Sequence, residues 1–563
     1  MKKHMIKAAA WALLLGMASC ADDLDISSID PQSSSSYDPT GLLAKQYATL
    51  GLTGQAGPTG KADMSINEGE SSFYRTLFNL QELCSDECIW AWQTDPDIPT
   101  ITNIAWNSNS PRVNWAWQRF MFNITLFNSY LSEQEGVADR QTLAEVRFLR
   151  ALNYWAFLDL FRKAPFKITF SMDDLPVEKA GKELYDWIDQ ELTEIEPMLA
   201  PVGSFNDSKN FGRADQGAAY ALHARLALNS EVYTDGAVKD YQKAIDYCDK
   251  VIGSGKYALS VSEKNGYSGY AQVFMGDNDY NPQAMREIIF PIRQDGVKTR
   301  QYGGSTYLVS SMRIAGMPYT GTDNTWSCNF ARQDLVFKFF ENNIGDLPLV
   351  TKEDTAGLNL GITDKLPVDE VIAIDGKFSS TTADVIKAAK DDRAMFYGGV
   401  GGGLRTLNPG KQITGFVNGL SIVKWQNLRS DGTDVNDRTF SDTDIPFFRL
   451  AELYLTRAEA AYRMGRNDRA QADLNVLRSR ANAVESTSID GQMIIDEWCR
   501  EFYMEGRRRS DLVRFGLFTS SKYLWDFKGG VPGGTGVDSH FNVYPVPFAE
   551  LAGNPNIKQN PGY

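Results

Sequence analysis

The chain has 563 residues, 43% hydrophobic and 23% charged, which suits one large globular domain or two closely packed ones. A formal net charge of −14 argues against nucleic acid or an anionic membrane surface as partner, because either needs clustered Lys and Arg. Six cysteines and three histidines give no disulfide framework and little material for a Ser-His-Asp hydrolase or a His-rich zinc site.

Lys2, Lys3 and Lys7 precede an apolar run, Ala8 to Met17, too short to cross a bilayer, so residues 1–19 read as a signal peptide. Met17-Ala18-Ser19-Cys20 resembles the lipobox of bacterial lipoproteins, which would make Cys20 the acylated mature N-terminus. Two or more acyl chains anchor a protein stably where one does not. Residues 20–40 then form a lipidated tether. Within it, Ala21-Asp22-Asp23-Leu24-Asp25 resembles the surface-export signal of Bacteroidetes lipoproteins, the alternative being an ordinary acidic tether. Pro31 to Ser36 is too polar to bury a core. The expected location is the outer membrane, on the cell surface, held by lipid.

One globular domain is expected over 41–563. Leu143 to Phe161 carries Val146, Leu149, Leu152, Trp155 and Leu158 near the 3.6-residue period of a buried helix. Gly217 to Glu231 pairs with Asp240 to Ile252, and Leu450 to Met464 with Asp468 to Ala481. Ala458, Ala461, Gly465 and Ala470 put small residues where two antiparallel helices meet, as in a tetratricopeptide unit. Ile494 to Arg509 predicts a last helix, with pairs Asp496–Arg500 and Glu505–Arg509 and the basic run Arg507 to Arg509 on a solvated face. The helical scaffold thus covers about 140–255 and 445–515. Loop-rich stretches lie between, notably 51–112 and 265–330, and loops that long in a compact protein are usually functional.

Candidate chemistry gathers in those loops. Trp90, Trp92, Trp106, Trp115 and Trp117 put five of the twelve tryptophans within 28 residues; most are expected in the core. A neutral polyhydroxylated ligand needs flat apolar rings against its C–H faces and planar donors and acceptors for its hydroxyls. Cys84 and Cys88 read either as a local bridge or as two small residues on one helical turn. His223 lies inside an apolar helical run and reads as packed. The run Gly398-Gly399-Val400-Gly401-Gly402-Gly403 fits neither a dinucleotide fingerprint nor a P-loop.

GESSFYRTLFNLQELCSDECIWAWQ, AEVRFLRALNYWAFLDLF, EIIFPIRQDGVKTRQYGGSTYLV, DTDIPFFRLAELYLTRAEA and EFYMEGRRRSDLVRFG resemble the SusD/RagB family, most of all its starch-binding branch. The resemblance spans the chain after the signal. It implies a mostly α, SusD-like fold with four tetratricopeptide-like helix pairs and long irregular loops carrying the site. It also implies surface binding of starch-like α-1,4-glucan and a lid-like complex with a SusC-like TonB-dependent transporter, and no enzymatic activity. By position, the family's aromatic arc falls on Trp92, Tyr302 and Trp326, with Arg75 as polar partner and Trp90 supporting Trp92 from behind. Asn67 stands where the starch-binding branch has an aspartate, and Asp95 where it has an asparagine. Asp279, Asp442 and Asp444 match acidic positions implied to hold a structural calcium ion; the alternative for the last two is a cap on a helix starting near Pro446. Two other readings stand beside this one. A RagB-like lid would take another glycan or a peptide, and a surface glycoside hydrolase would need two carboxyls about 5–9.5 Å apart.

Overall fold

The computed structural model describes residues 38–54, 57–58, 62–171, 173–207, 209–340, 372–374, 381–398, 404–406, 413 and 418–563. The signal segment, Cys20, the tether as far as residue 37 and the glycine run beyond Gly398 lie outside the described residues. Met1–Lys45 and Gln46–Tyr563 are two compact units. Of the first, the described part is the opening of the helix Pro39–Gly51, where Asp38 Oδ1 accepts from Thr40 N at 3.0 Å. No helix among the described residues is long and apolar enough to cross a membrane.

The second unit is mostly α. Its long helices begin where side-chain oxygens satisfy the free amides of the first turn. Asp139 caps Arg140–Phe161 by accepting from Thr142 N at 2.9 Å, and Asp215 caps Gln216–Leu228 through Gly217 N at 2.7 Å. Asp490 caps Gly491–Phe502 through Met493 N at 2.7 Å. Antiparallel pairs form between Pro111–Glu133 and Arg140–Phe161, between Gln216–Leu228 and Tyr241–Ile252, and between Leu450–Arg463 and Asn467–Arg480. Ala460, Ala461 and Ala470 are fully buried where the last pair meets, beside Leu455, Leu474 and Trp498. The turn between those two helices runs through Gly465 at φ +74°, a left-handed conformation that costs glycine no steric penalty.

Three expectations need correction. Ile494 to Arg509 is not one helix: Gly491–Phe502 ends, the chain reverses through Met504 (φ +59°) and Gly506 (φ +78°), and Arg508–Arg514 follows. That reversal folds the basic run inward instead of onto a solvated face. Arg508 and Arg509 are buried, Arg508 gripping Asp86 at 2.7 and 2.8 Å and Arg509 donating to Asn542 O at 2.6 Å. The expected pairs change with it. Arg500 meets Glu497 at 2.9 Å, and Glu505 faces Arg449 and Lys424. Second, Cys84 and Cys88 are both free and buried, Cys84 past the end of the helix Phe73–Glu82 and Cys88 at the start of a strand, so they neither bridge nor share a helical turn. Third, no helix starts near Pro446. Ile445–Arg449 is a strand paired antiparallel with Ile288–Ile292, and the helix begins at Leu450, so Asp442 and Asp444 cap nothing there.

His223 is packed, as read, against Tyr247 with ring centroids 4.1 Å apart. It also sits between two carboxylates, Nδ1 3.2 Å from Asp189 and Nε2 2.9 Å from Glu196.

Candidate functional site

Two short antiparallel strands, Cys88–Trp90 and Asn329–Ala331, build the site. Their register sets Cys88 opposite Ala331 and Trp90 opposite Asn329. Residues just after Trp90 and just before Asn329 therefore leave the ladder at the same end. Ala91 N prolongs the pairing by donating to Cys328 O at 2.7 Å. Trp92 and Trp326, 234 residues apart in sequence, then meet: the Trp92 indole Nε1 donates to Trp326 O at 3.0 Å. A turn closed by Asp95 N donating to Trp92 O at 3.0 Å fixes the backbone behind the indole.

The helix Gly304–Ser311 supplies the third ring. Tyr302 lies just before its first turn, while Trp326 N and Cys328 N donate to Ser310 O and Ser311 O at its far end. The Tyr302 ring ends 6.0 Å from that of Trp326, the planes inclined at 56°, with Phe440 behind it at 5.4 Å and 48°. Inclined rings at these separations suit a curved contact surface rather than a flat one. Trp92 is 43% exposed, and Tyr302 and Trp326 are half-buried. The three expected arc residues are thus brought together at a solvent-facing rim. Of the tryptophan cluster, Trp90, Trp106 and Trp117 are buried in the core.

The polar candidates separate into rim and floor. Asp95 is half-buried, its Oδ2 accepting from Trp90 Nε1 at 3.2 Å. Asn67 is exposed on the turn that abuts Tyr302, and its Oδ1 caps the short helix Glu68–Glu70 by accepting from Gly69 N at 3.0 Å. A Cβ on Gly69 would lie 3.2 Å from Tyr302 Cβ, so the turn packs against the base of the Tyr302 side chain. Arg75 and Trp90 lie beneath. The Arg75 guanidinium is stacked 3.1 Å above the Tyr307 ring, 5.7 Å from Trp90, and donates to Asn79 Oδ1 at 3.1 Å; the residue is only 5% exposed. Among the described residues, Nε is the one of its three nitrogens that bonds within the protein. Trp90 stacks on the same Tyr307 at 6.1 Å and 29°. Tyr307, which sequence reasoning missed, is the centre of this floor, and its hydroxyl accepts from Asn329 Nδ2 at 2.7 Å.

Asp279, Asp442 and Asp444 form a separate acidic group, in which Asp444 Oδ1 accepts from Gln294 N at 2.6 Å. Arg293 bridges Asp279 at 2.9 Å and Asp444 at 3.1 Å, while Arg429 takes Asp442 at 2.7 Å. Burial pushes the Asp444 carboxyl up to about 7, the nearby charge of Asp279 adding to it against the pull of Arg293. Asp442 Oδ1 is buried without a hydrogen-bond donor among the described residues, and Asp444 Oδ2, also buried, has only the Arg293 Nε ion pair at 3.1 Å. A Cβ on Gly296 would lie 2.6 Å from Asp442 Oδ1 and 2.7 Å from Phe440 O, so a carbonyl oxygen shares that space. Among the described residues no three His, Cys, Asp or Glu side chains are gathered tightly enough to hold a metal ion, so a cation here would need main-chain carbonyls as well, which calcium readily accepts.

The sequence pattern of the SusD family matches residues 286–563. The starch-binding protein SusD of Bacteroides thetaiotaomicron is 52% identical over 575 aligned residues, covering 100% of this chain and 99% of that protein. In fold, the chain superposes on a SusD-like protein from Bacteroides fragilis with TM-score 0.65 at 20% identity, covering 96% of this chain and 100% of the other. It also superposes on surface glycan-binding protein A from B. thetaiotaomicron in complex with laminarihexaose, with TM-score 0.60 at 17% identity and coverage of 92% and 98%. Alike in sequence from end to end and in fold across nearly its whole length, the chain belongs to the SusD family.

Proposed function

We propose that this protein, anchored through lipid on Cys20, captures starch-like α-1,4-glucan oligosaccharides at the cell surface, leaves them chemically unchanged, and passes them to a SusC-like TonB-dependent transporter in the outer membrane. The observation that carries the reading is the rim on which Trp92, Tyr302 and Trp326 converge with inclined planes. An α-1,4 chain curls, so successive pyranose faces can meet inclined rings, whereas a flat β-1,4 chain would reach one or two of them. Asp95 and Asn67 supply polar atoms beside the rings, Arg75 serves as the polar partner for sugar hydroxyls, and Trp90 and Tyr307 support the site from beneath. The 52% identical relative is named for starch binding, which supports the same ligand class here. Residues 20–40 act as tether and 41–563 as the single binding body.

Shape thus does most of the selecting. Affinity is modest, because an open, wet site leaves much of the sugar solvated. Beside a transporter, modest capture is adequate, since two sites on one complex act at high effective concentration. A glycan array together with calorimetry is expected to show binding to maltoheptaose and cyclodextrins and none to cellulose or laminarin oligosaccharides, with no reducing ends released from starch over hours. Binding confined to β-glucans or peptides would overturn the ligand class, and released reducing ends would overturn the non-enzymatic reading.

Calcium belongs to the same proposal as a structural ion. Asp279, Asp442 and Asp444 would hold it, with the donorless Asp442 Oδ1, the ion-paired Asp444 Oδ2 and the Phe440 carbonyl as its hard oxygen ligands. When bound, it supplies positive charge that ties the 440–444 segment to the 277–296 region. Chelation with EDTA is then expected to lower Tm by several degrees, restored by Ca2+ but not by an equal concentration of Mg2+. An unchanged Tm would rule the ion out.

A further inference from the structure

A cleft of about 590 Å3, lined by none of the arc residues, lies between the loop around Tyr267, the segment Pro318–Thr320, the helix Thr381–Ala389 and the irregular run 423–428. Its volume is that of a small-ligand pocket, about 300–1,000 Å3. Nothing in the arc uses it. We infer that this cleft is a second saccharide site, which takes a further stretch of the same glucan chain that the aromatic rim engages; the ligand class rests on the function proposed above.

Three observations carry the assignment. The first is aromatic: Tyr319 is 42% exposed at the mouth, and Tyr267, half-buried, lines the cleft with it. The second is an orphan hydroxyl. Thr320 is 3% exposed, lines the cleft, and its Oγ1 has no hydrogen-bond partner among the described residues. An unmade hydrogen bond at a buried hydroxyl is unfavourable, a cost that a ligand hydroxyl would remove. Beside it Gln426 brings a carboxamide to the wall, its backbone fixed by Phe274 O at 3.1 Å and by the Thr443 hydroxyl at 2.6 Å. The charges lining the cleft are mixed, Glu263 and Asp392 against Lys387, and Asp392 is already taken up by Asn482 at 2.8 Å. Rings, hydroxyls and amides without a block of one charge fit a neutral, polyhydroxylated ligand better than an anion or a cation.

The third observation links cleft and rim through one loop. Arg313 O accepts from Ser327 N at 3.1 Å, closing the base of the segment 313–327. Trp326 stands at that base, in the arc. Tyr319 and Thr320 stand farther out, held in place by Asn427 N donating to Thr320 O at 2.7 Å and by Arg313 Nη1 donating to Pro318 O at 3.0 Å. A short oligosaccharide fits one place or the other, while a long chain can occupy both and gains from the second contact by effective concentration.

The test compares maltoheptaose with long amylose on the purified full-length protein, the Tyr319→Ala variant, and the Ala383→Trp variant, which fills the mouth from an exposed position on the helix Thr381–Ala389. Both variants are expected to bind maltoheptaose within about twofold of the parent and long amylose about tenfold more weakly, with Tm unchanged. Equal affinity of all three proteins for long amylose would overturn the second site and leave the rim reading standing. Parallel losses for both ligands would overturn it too, because they would mean that the substitutions act through the arc. If the parent protein binds neither α-glucan, the function proposed above falls, and the second site with it.

Discussion

Alanine at both Trp92 and Trp326 is expected to lower affinity for maltoheptaose about a hundredfold or more while leaving the fold intact. Each stacked ring contributes about 0.5–1.5 kcal/mol beyond the apolar area it covers, and removing two adds lost area from both. Every 1.4 kcal/mol is tenfold in Kd. The arc should fail cooperatively, because the Trp92 indole is oriented by its bond to Trp326 O and Tyr302 leans on the Trp326 ring at 6.0 Å. Stability should change by less than about 1 kcal/mol, since Trp92 is 43% exposed and Trp326 half-buried. Trp92→Phe separates the two roles of that side chain. It keeps a flat face but loses the indole donor, so a loss of only a few-fold is expected. Isothermal calorimetry on the two variants and the parent, with thermal melts alongside, checks all of this. Full affinity in the double variant would place the glycan site elsewhere on the molecule.

How much of this was legible beforehand depended on the reach of each interaction. The helices Arg140–Phe161, Gln216–Leu228 and Leu450–Arg463 announce themselves because their apolar period is local, and so does the small-residue seam at Ala461 and Ala470. The rim residues were nameable through resemblance, but their meeting was not derivable from spacing. It depends on a three-residue ladder that pairs Trp90 with Asn329. Arg75 shows a limit of another kind. Resemblance names it as a partner for sugar hydroxyls, while the Tyr307 ring against which its guanidinium packs is a neighbour no local pattern reveals. The run Arg507 to Arg509 misled for the same reason. Charge next to charge suggests water, but Asp86 arrives from more than 400 residues away, and the left-handed turn at Met504, a residue that rarely adopts one, carries no sequence signal.

Glu501 should be among the residues this fold can least spare, because three buried arginines depend on it. Its Oε1 accepts from Arg449 Nη1 at 2.5 Å and from Arg480 Nη2, and its Oε2 accepts from Arg393 Nη1 at 3.0 Å. All four side chains are between 0 and 1% exposed. Burial by itself would raise the Glu501 carboxyl, but Arg480, Arg449 and Arg393 outweigh it and hold it well below the usual carboxylate range. A carboxylate with a depressed folded-state pKa contributes stability that is present above its unfolded value and lost as pH falls below it. Glu501→Ala is therefore expected to destabilise by about 3–5 kcal/mol at pH 7, because it strands charge in a region water cannot reach, and the deficit should shrink below about pH 4. Glu501→Gln keeps the shape and some acceptors, so it should lose less at pH 7 while showing the same flattened acid limb. Urea melts between pH 3 and 7 measure both. The remaining acids, Glu287 against Arg449 and Arg480 and Glu497 against Arg393, limit the damage but cannot replace the shared vertex. A loss under 1 kcal/mol at pH 7 in the alanine variant would mean that the three arginines find other partners or water, and that the network is ornamental to stability.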